Sequence, residues 1–485
     1  MRLRSRGWWR LLVWFGRVGL GVALVSSSVP LDARAQSTPH LGYGVNPLNS
    51  ADPGIGNMGF DWAKVFGSPG SRLPYRVLRR VEVHASTLNN LSAWGDWLES
   101  EARAQADWIE AWEIGNEPNL DASYGWAAPP NAADYTRVLC EAYRRIKRAD
   151  PTAIVVSAGL APTGRVPFEW NGHKGYCAPG LGWCPGYYQD EREFLREMLQ
   201  AGAANCLDAL GFHPYGFAAS ATAAPATPGS ECGSNDFCFR TVEVIRQIMV
   251  GEFGVDKPIW ATEFGWLVDP RQVGRPECWD DPSFSGRQWQ VVSPDQQATY
   301  LVQAYQWADA NWPWMGAMLV FNYGFSEAPS NSLPPCDQMR FYDIKGRPAE
   351  QALRDMIKNK VPARPLWTTP VTMLSDVDTP APLRGAFRLR STTPDPLSWT
   401  VSGISAPFPV TLDANSGTDA QSLSFVVDPS GKGLGVYTGT IRVQATVPSP
   451  LSQSVSVENP DQELQVVLRV VPEVYRTMLP LVLRR

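Results

Sequence analysis

Histidine and closely spaced cysteines are scarce in this chain. Four histidines occur in 485 residues, and no two of the eight cysteines form a CxxC pair. Zinc sites take their ligands from clustered Cys, His and carboxylate side chains. The sequence therefore predicts neither a metal centre nor a cofactor.

A surplus of basic residues is also absent. The formal charge of the chain is −5, and loss of residues 1–35, which hold six Arg and one Asp, would bring it to −10. Proteins that bind nucleic acid present a basic face to the phosphates. Nucleic acid is therefore not an expected partner.

The chain has no hydrophobic run of the roughly 20 residues that a membrane-spanning helix needs. The short apolar stretch Val18–Val25 follows Arg17 and an arginine-rich start. Ala33–Ala35 (Ala-Arg-Ala) supplies a small-x-small cleavage pattern, so residues 1–35 are predicted to be a signal peptide. The mature chain is then expected to begin near Gln36 and to be secreted or held at the cell surface. An uncleaved anchor is the alternative.

Export favours disulfide formation by the eight cysteines. The simplest of the possible pairings joins cysteines that are close in sequence or lie in neighbouring structural units. A zinc cluster is the competing interpretation, although the ligand spacing does not favour it. The predicted pairs are Cys140–Cys206, Cys177–Cys184, Cys232–Cys238 and Cys278–Cys336.

Short apolar runs alternate with amphipathic stretches from about residue 40 to residue 360. This alternation is typical of a parallel sheet covered by helices, and eight strands are the number that a closed barrel needs. The predicted fold is therefore an α/β (β/α)₈ TIM barrel. The runs are Leu41–Val45, Trp62–Phe66, Arg76–Val83, Ile109–Ile114, Ala153–Ala158, Leu207–Phe212, Pro258–Thr262 and Gly316–Phe321.

Apolar residues at spacings of three and four predict helices in most of the gaps. The first two helices of the barrel are poorly marked. The predicted helices are Ala133–Lys147, Asp190–Ala201, Phe239–Met249, one that begins at Ser293 and runs through Ala308, and Pro348–Lys358.

The pattern changes after residue 362. Short alternating runs rich in Thr, Ser and Val, such as Thr438–Ala445 and Leu464–Val470, predict an antiparallel β-sandwich. The expected domains are the barrel at 36–362 and a smaller all-β sandwich at 363–472, joined by a linker at Pro362–Pro370. A short tail, 473–485, follows.

Two segments carry the candidate chemistry. Trp112–Asn119 (WEIGNEPN) ends the fourth predicted strand, and Ile259–Trp266 (IWATEFGW) ends the seventh. Active sites of such barrels lie at the C-terminal ends of the strands, so Glu117 and Glu263 are expected in one mouth. Retaining glycosidases need two carboxyl groups about 5–5.5 Å apart. Glu113, which lies within its strand, is interpreted as structural.

These segments resemble the large clan of retaining glycosidases that includes families 5, 39 and 79. Gly211–Tyr215 (GFHPY) is similar to the same clan's His-x-Tyr segment after the sixth strand. The resemblance implies that Glu117 is the acid/base and Glu263 the nucleophile. It further implies supporting, substrate-lining roles for Asn116, His213 and Tyr215. Arg80 resembles the clan's arginine beside the nucleophile.

One departure from the clan concerns aromatic platforms for sugars. Clan members often place a Trp at the end of the eighth strand, where this chain has Phe321 and Tyr323 instead. Either residue is a candidate replacement. Because flat rings stack on the apolar faces of sugars, Trp266, Trp279 and Trp289 are further candidates. Packing in the core is the alternative for each of them.

The sequence therefore predicts a hydrolase that cleaves an oligo- or polysaccharide with β-linkages. A non-catalytic carbohydrate-binding protein and a cell-surface adhesion protein are the alternatives. The C-terminal region resembles the BACON-like sandwiches of secreted carbohydrate enzymes. Its role could be glycan binding, surface attachment or spacing, because a fold does not fix a function.

Overall fold

The computed structural model describes residues 40–164, 173–174, 188–391, 397–419, 421–447, 457–472 and 474. Eight parallel strands form one sheet in the order β5-β4-β3-β2-β1-β8-β7-β6, and bridges from Val156 to Ala209 and from Leu160 to Phe212 link its two edges. The predicted barrel is confirmed, with a strand at each of the eight runs. The strands are β1 Gly42–Pro47, β2 Trp62–Val65, β3 Arg76–Val81, β4 Ala111–Ile114, β5 Ile154–Ser157, β6 Leu210–Phe212, β7 Ile259–Phe264 and β8 Met315–Tyr323.

Helices cover the barrel. The longest begin at side chains that cap them: Asn131 accepts a hydrogen bond from the amide of Asp134, and Ser293 accepts one from Gln296 in a capping box. The sequence marks the first two helices of the barrel poorly because α1 is five residues long and residues 66–75, between β2 and β3, contain no helix. The helices are α1 Pro53–Asn57, α2 Leu91–Ala104, α3 Ala132–Ala149, α4 Glu191–Gln200, α5 Val242–Gln247, α6 Pro294–Asn311, α7 Met339–Tyr342 and α8 Pro348–Asp355.

A layer of large apolar side chains fills the barrel interior. Trp62 and Trp260 meet edge to face with their ring centroids 4.9 Å apart. Gly42 and Gly316 leave room for the two indoles, since a Cβ at either position would lie within 2.8 Å of one of them. Side chains two residues apart on a strand share a face, so the next interior position on β2 is Lys64. A polar layer thus follows the apolar one towards the C-terminal ends of the strands.

The region after the barrel is all-β, as predicted. It contains a five-stranded sheet (β10-β18-β17-β13-β15), a three-stranded sheet (β11-β16-β14) and the pair β9-β12. Among the described residues, these strands pair in antiparallel fashion except for β10 and β18, which are parallel. The expected linker contains strand β9. The strands are β9 Pro365–Trp367, β10 Val371–Asp376, β11 Leu383–Phe387, β12 Leu389–Ser391, β13 Ser398–Ser405, β14 Val410–Leu412, β15 Ser416–Thr418, β16 Leu423–Val427, β17 Gly435–Thr446 and β18 Asp461–Val471.

The all-β region contacts the N-terminal ends of the barrel strands. The guanidinium of Arg390 lies 2.8 Å from the carboxylate of Asp150, before β5, and donates to the carbonyl of Ile109, before β4. These contacts lie at the opposite end of the barrel from Glu117 and Glu263, which follow or end their strands.

Three of the four predicted disulfides are present: Cys140–Cys206, Cys232–Cys238 and Cys278–Cys336. The fourth pair, Cys177–Cys184, and the predicted signal peptide lie outside the described residues. Among the residues that the structure describes, no helix is both long and apolar enough to cross a membrane.

Candidate active site

A cavity of about 570 Å³ opens at the C-terminal ends of the barrel strands. Its walls include six of the side chains singled out in the sequence, among them both candidate catalytic carboxylates. They are Arg80, Asn116, Glu117, Tyr215, Glu263 and Phe321. The other wall residues come from the loops that follow β2, β4, β5, β6, β7 and β8.

A sharp turn after β4 directs Glu117 into the cavity. Gly115 has a φ of +88°, and Glu117 itself has a φ of +40°. A positive φ costs free energy at a residue that has a Cβ, so surrounding contacts must hold it. The amide of Glu117 donates to the carbonyl of Gly159, and its own carbonyl accepts from the amide of Leu120.

His213 links the two carboxylates. Its Nδ1 lies 2.9 Å from Oε1 of Glu117 and 3.8 Å from Oε2 of Glu263, and the side chain is fully buried. Those two oxygens are therefore at most about 6.7 Å apart, the sum of 2.9 and 3.8 Å. Gly159 makes room for the ring, because a Cβ there would lie 2.1 Å from its Nε2.

Glu263, the last residue but one of β7, accepts two hydrogen bonds from side chains. Lys64 Nζ donates to Oε1 at 2.9 Å, and the hydroxyl of Tyr215 donates to Oε2 at 2.7 Å. Burial alone would raise the pKa of Glu263, but the charges of His213 and Lys64 and these hydrogen bonds lower it to about 2. Burial and the charge of Glu263 raise the pKa of Tyr215 well above its usual value, so its hydroxyl remains a donor.

Lys64 and Glu113 are members of this network that the sequence did not single out for function. Lys64 Nζ lies 2.8 Å from Oε2 of Glu113, and both side chains are fully buried. Oε1 of Glu113 accepts from the amide of Gly159. A lysine between the apolar residues of β2 is the signal that could have identified this position, because a buried cation needs anionic partners.

Asn116 offers an acceptor to the cavity. Its amide nitrogen donates to the carbonyl of Tyr124 at 3.1 Å. Its Oδ1 is buried and has no hydrogen-bond partner among the described residues. A hydroxyl of a bound molecule could satisfy this oxygen.

Arg80 lines the same cavity as Glu263, and its described contacts are with two other residues. Its guanidinium pairs with Glu82 at 2.8 Å and lies over the ring of Phe66 at 4.7 Å. These two neighbours hold Arg80 in the cavity wall, and Lys64 is the cation that contacts Glu263. Lys64 on β2 is thus a basic residue of the site in addition to Arg80.

Trp266 and Tyr323 do not reach the cavity, which corrects their expected roles as sugar platforms. Trp266 is fully buried and its indole donates to the carbonyl of Ala219. Tyr323 is 2% exposed and packs against Gly54 of α1, with its hydroxyl 3.4 Å from Glu350. Phe321, the other candidate on β8, lines the cavity.

Within the described part of the chain, no group of three or more His, Cys, Asp and Glu side chains is arranged to hold a metal ion. The two carboxylates Glu117 and Glu263 line the cavity, and a buried lysine, a buried histidine and a tyrosine contact them directly. Such a set can transfer protons and attack an electrophilic carbon.

Replacing Lys64 by methionine is expected to raise the pKa of Glu263 by about 1 to 3 units, because an opposite charge close to a carboxylate lowers its pKa by that amount. In the native protein the pKa of Glu263 is about 2, so the carboxylate is half protonated near pH 2 and largely ionised above about pH 3. In Lys64→Met the ionised form is lost at a higher pH. The acid side of the kcat/KM profile should therefore move upward in pH.

The control for this experiment is Lys64→Arg, which keeps the charge and should keep the native profile. The thermal unfolding of both variants should also be measured, because removing one partner of a buried ion pair costs about 3–5 kcal/mol of stability. An unshifted acid limb in folded Lys64→Met would contradict this role of the lysine.

No protein-family model matches the chain, and no curated protein matches it. Solved structures similar to it include a family 39 glycoside hydrolase from the gut symbiont Bacteroides cellulosilyticus WH2, with 14% identity, a TM-score of 0.42 and 81% of each chain covered. The endo-β-1,4-mannanase from Thermotoga petrophila has 12% identity and a TM-score of 0.36, with 91% of this chain and 99% of the mannanase covered. Bacteroides uniformis β-glucuronidase 2 has 11% identity and a TM-score of 0.38, with 89% and 46% covered. These structural neighbours are glycoside hydrolases.

Proposed function

We propose that this chain is an exported, retaining glycoside hydrolase that cleaves β-linked oligo- or polysaccharides. The observation that carries the proposal is the placement of Glu117 and Glu263 in one cavity, on either side of His213. The β-linkage follows the resemblance in the sequence, and the disulfides support export.

Glu263 has the environment that a nucleophile needs. Its pKa of about 2 keeps the carboxylate ionised. Lys64 and Tyr215 hold both oxygens by hydrogen bonds, which fixes the orientation of the group before a substrate arrives. An ionised and oriented carboxylate can attack an anomeric carbon.

Glu117 has a different environment, which suits the exchange of protons. Among the described residues no lysine or arginine lies within 4 Å of it, and its side-chain partner is His213. In the first step Glu263 forms a bond to the anomeric carbon, the bond to the leaving oxygen breaks, and that oxygen takes the proton of Glu117. In the second step water attacks the same carbon, Glu117 accepts the proton of the water, and Glu263 is released.

The spacing of the carboxylates favours retention over inversion. The upper limit of about 6.7 Å between one oxygen of Glu117 and one of Glu263 includes the 5–5.5 Å typical of retaining enzymes. Inverting enzymes hold their carboxyl groups about 6.5–9.5 Å apart, to leave room for a water molecule. Nearly all of this range for inverting enzymes is longer than the upper limit of about 6.7 Å between the oxygens of Glu117 and Glu263.

Proton NMR of the first product tests the proposal. The native enzyme is expected to release a sugar with retained anomeric configuration from at least one substrate in a panel of aryl β-glycosides of glucose, mannose, xylose and glucuronic acid. Product with inverted configuration would overturn the assignment of Glu263 as nucleophile. Binding of glycans without any release of sugar would favour the non-catalytic carbohydrate-binding alternative.

A further inference from the structure

Three aromatic side chains from separate parts of the loops form a layered cluster, the aromatic rim, at one side of the cavity. Phe217 and Trp289 stack with ring centroids 5.4 Å apart and an interplanar angle of 13°. Phe237 lies 4.6 Å from Phe217 and 5.4 Å from Trp289. Phe217 also lines the cavity, so the rim extends outward from the cavity wall.

Part of the apolar surface of the rim stays exposed to solvent in the folded chain. Trp289 is 54% exposed, whereas the candidate Trp266 is fully buried. Single exposed apolar residues are common, but a contiguous group beside a cavity is typical of a ligand-binding surface. The exposed indole therefore points to a ligand with a flat apolar face.

The backbone holds the rim rigidly in place. Phe217 has a φ of +53°, an unfavourable conformation for a residue with a Cβ. The preceding residue, Gly216, packs so closely on Trp266 that a Cβ would lie 1.9 Å from the indole, and its amide donates to Gly265. The disulfide Cys232–Cys238 fixes the chain beside Phe237. A platform fixed before binding loses little entropy when a ligand arrives.

A buried polar group next to the rim also lacks a partner. Gln290 is 1% exposed and lines the cavity, and its Nε2 has no hydrogen-bond partner among the described residues. A buried donor without a partner is costly, so a ligand that accepts a hydrogen bond there gains affinity. A sugar supplies both features, because its ring has an apolar face and its edge carries hydroxyl oxygens.

We propose that the aromatic rim and Gln290 form a subsite for a second pyranose ring of the substrate, next to the sugar that is cleaved. This inference rests on the proposed function and deepens it. The ring stacks on the exposed indole of Trp289 and accepts a hydrogen bond from Gln290. The enzyme consequently prefers chains of two or more sugars to single glycosides.

Trp289→Ala tests the subsite in the full-length protein. The quantity to measure is the ratio of kcat/KM on a β-linked tetrasaccharide to kcat/KM on the aryl monoglycoside of the same sugar. Loss of one stacking contact should lower this ratio about tenfold, mainly through KM for the tetrasaccharide. Trp289→Phe, which keeps a flat ring, should restore most of it.

Trp97→Ala is the matched control, because Trp97 is a comparably exposed tryptophan (44%) on α2 and does not line the cavity. It should leave the ratio unchanged. An unchanged ratio in folded Trp289→Ala, or an equal loss on both substrates, would overturn the subsite. Turnover of the monoglycoside by the native enzyme tests the proposed function separately, so failure of one proposal can be told from failure of the other.

Discussion

Replacing Glu263 by alanine is expected to lower kcat on the order of 10⁵-fold, the scale on which enzymes lose activity when their nucleophile is removed. Neither neighbouring glutamate can take its place, because Glu117 is bound to His213 and Glu113 is buried against Lys64. The variant should still fold and bind the substrate, because Lys64 keeps its ion pair with Glu113, although loss of one partner of a buried pair costs about 3–5 kcal/mol of stability. Single-turnover kinetics on an aryl glycoside measures the loss.

Azide distinguishes the loss of a nucleophile from general damage. A small anion can enter the space left by the side chain, beside Lys64, and attack the anomeric carbon from the face that Glu263 used. The product should be a glycosyl azide of inverted configuration. Glu277→Ala, at an exposed carboxylate in the loop after β7, is the matched control and should keep native kinetics. Full activity in Glu263→Ala would remove this residue from the mechanism.

Much of the barrel could be predicted because its signals are local. Apolar runs bounded by polar turns mark each strand, and capping residues such as Ser293 mark helix starts. The C-terminal face of such a barrel collects the residues that follow its strands. For this reason Glu117 and Glu263, 146 positions apart, could be expected in one cavity, where the structure has them.

The partner of Glu263 could not be predicted in the same way. Lys64 and Arg80 both lie at interior positions, two residues after Trp62 on β2 and Leu78 on β3. The alternation of side chains along a strand therefore does not tell which of these two cations contacts Glu263. Side-chain packing decides it, because Lys64 donates to Glu263 whereas Arg80 pairs with Glu82.

Local irregularity of the backbone explains why Tyr323 and Trp266, which were expected to contact the sugar, lie away from the cavity. Phe321 and Tyr323 lie two positions apart and would share a face in a regular strand. The pairing of β1 with β8 shifts register between Asn46 and Pro47, and Tyr323 turns towards Gly54 of α1. Trp266 follows the end of β7 and packs under the loop that presents Phe217. Such shifts come from tertiary packing and leave no periodic signal in the sequence.

Glu117→Ala should be the second most damaging substitution, and its effect should depend on the leaving group. General acid catalysis contributes about 10²–10⁴-fold, so kcat/KM for an alkyl glycoside or an oligosaccharide should fall by that factor. An aryl group with an acidic phenol departs with little protonation and should lose much less.

The second step of the reaction provides an independent check on Glu117. With a good leaving group the first step stays fast, but no base remains to take the proton of the attacking water. The glycosyl-enzyme on Glu263 should therefore accumulate, visible as a burst of phenol and as added mass on the protein. Azide needs no base, so it should speed turnover and give a glycosyl azide of retained configuration, opposite to the product of Glu263→Ala. The pair of configurations assigns the two roles together, because exchanging acid/base and nucleophile would exchange the two products. Equal losses on good and poor leaving groups, without a burst, would exclude Glu117 as the acid/base.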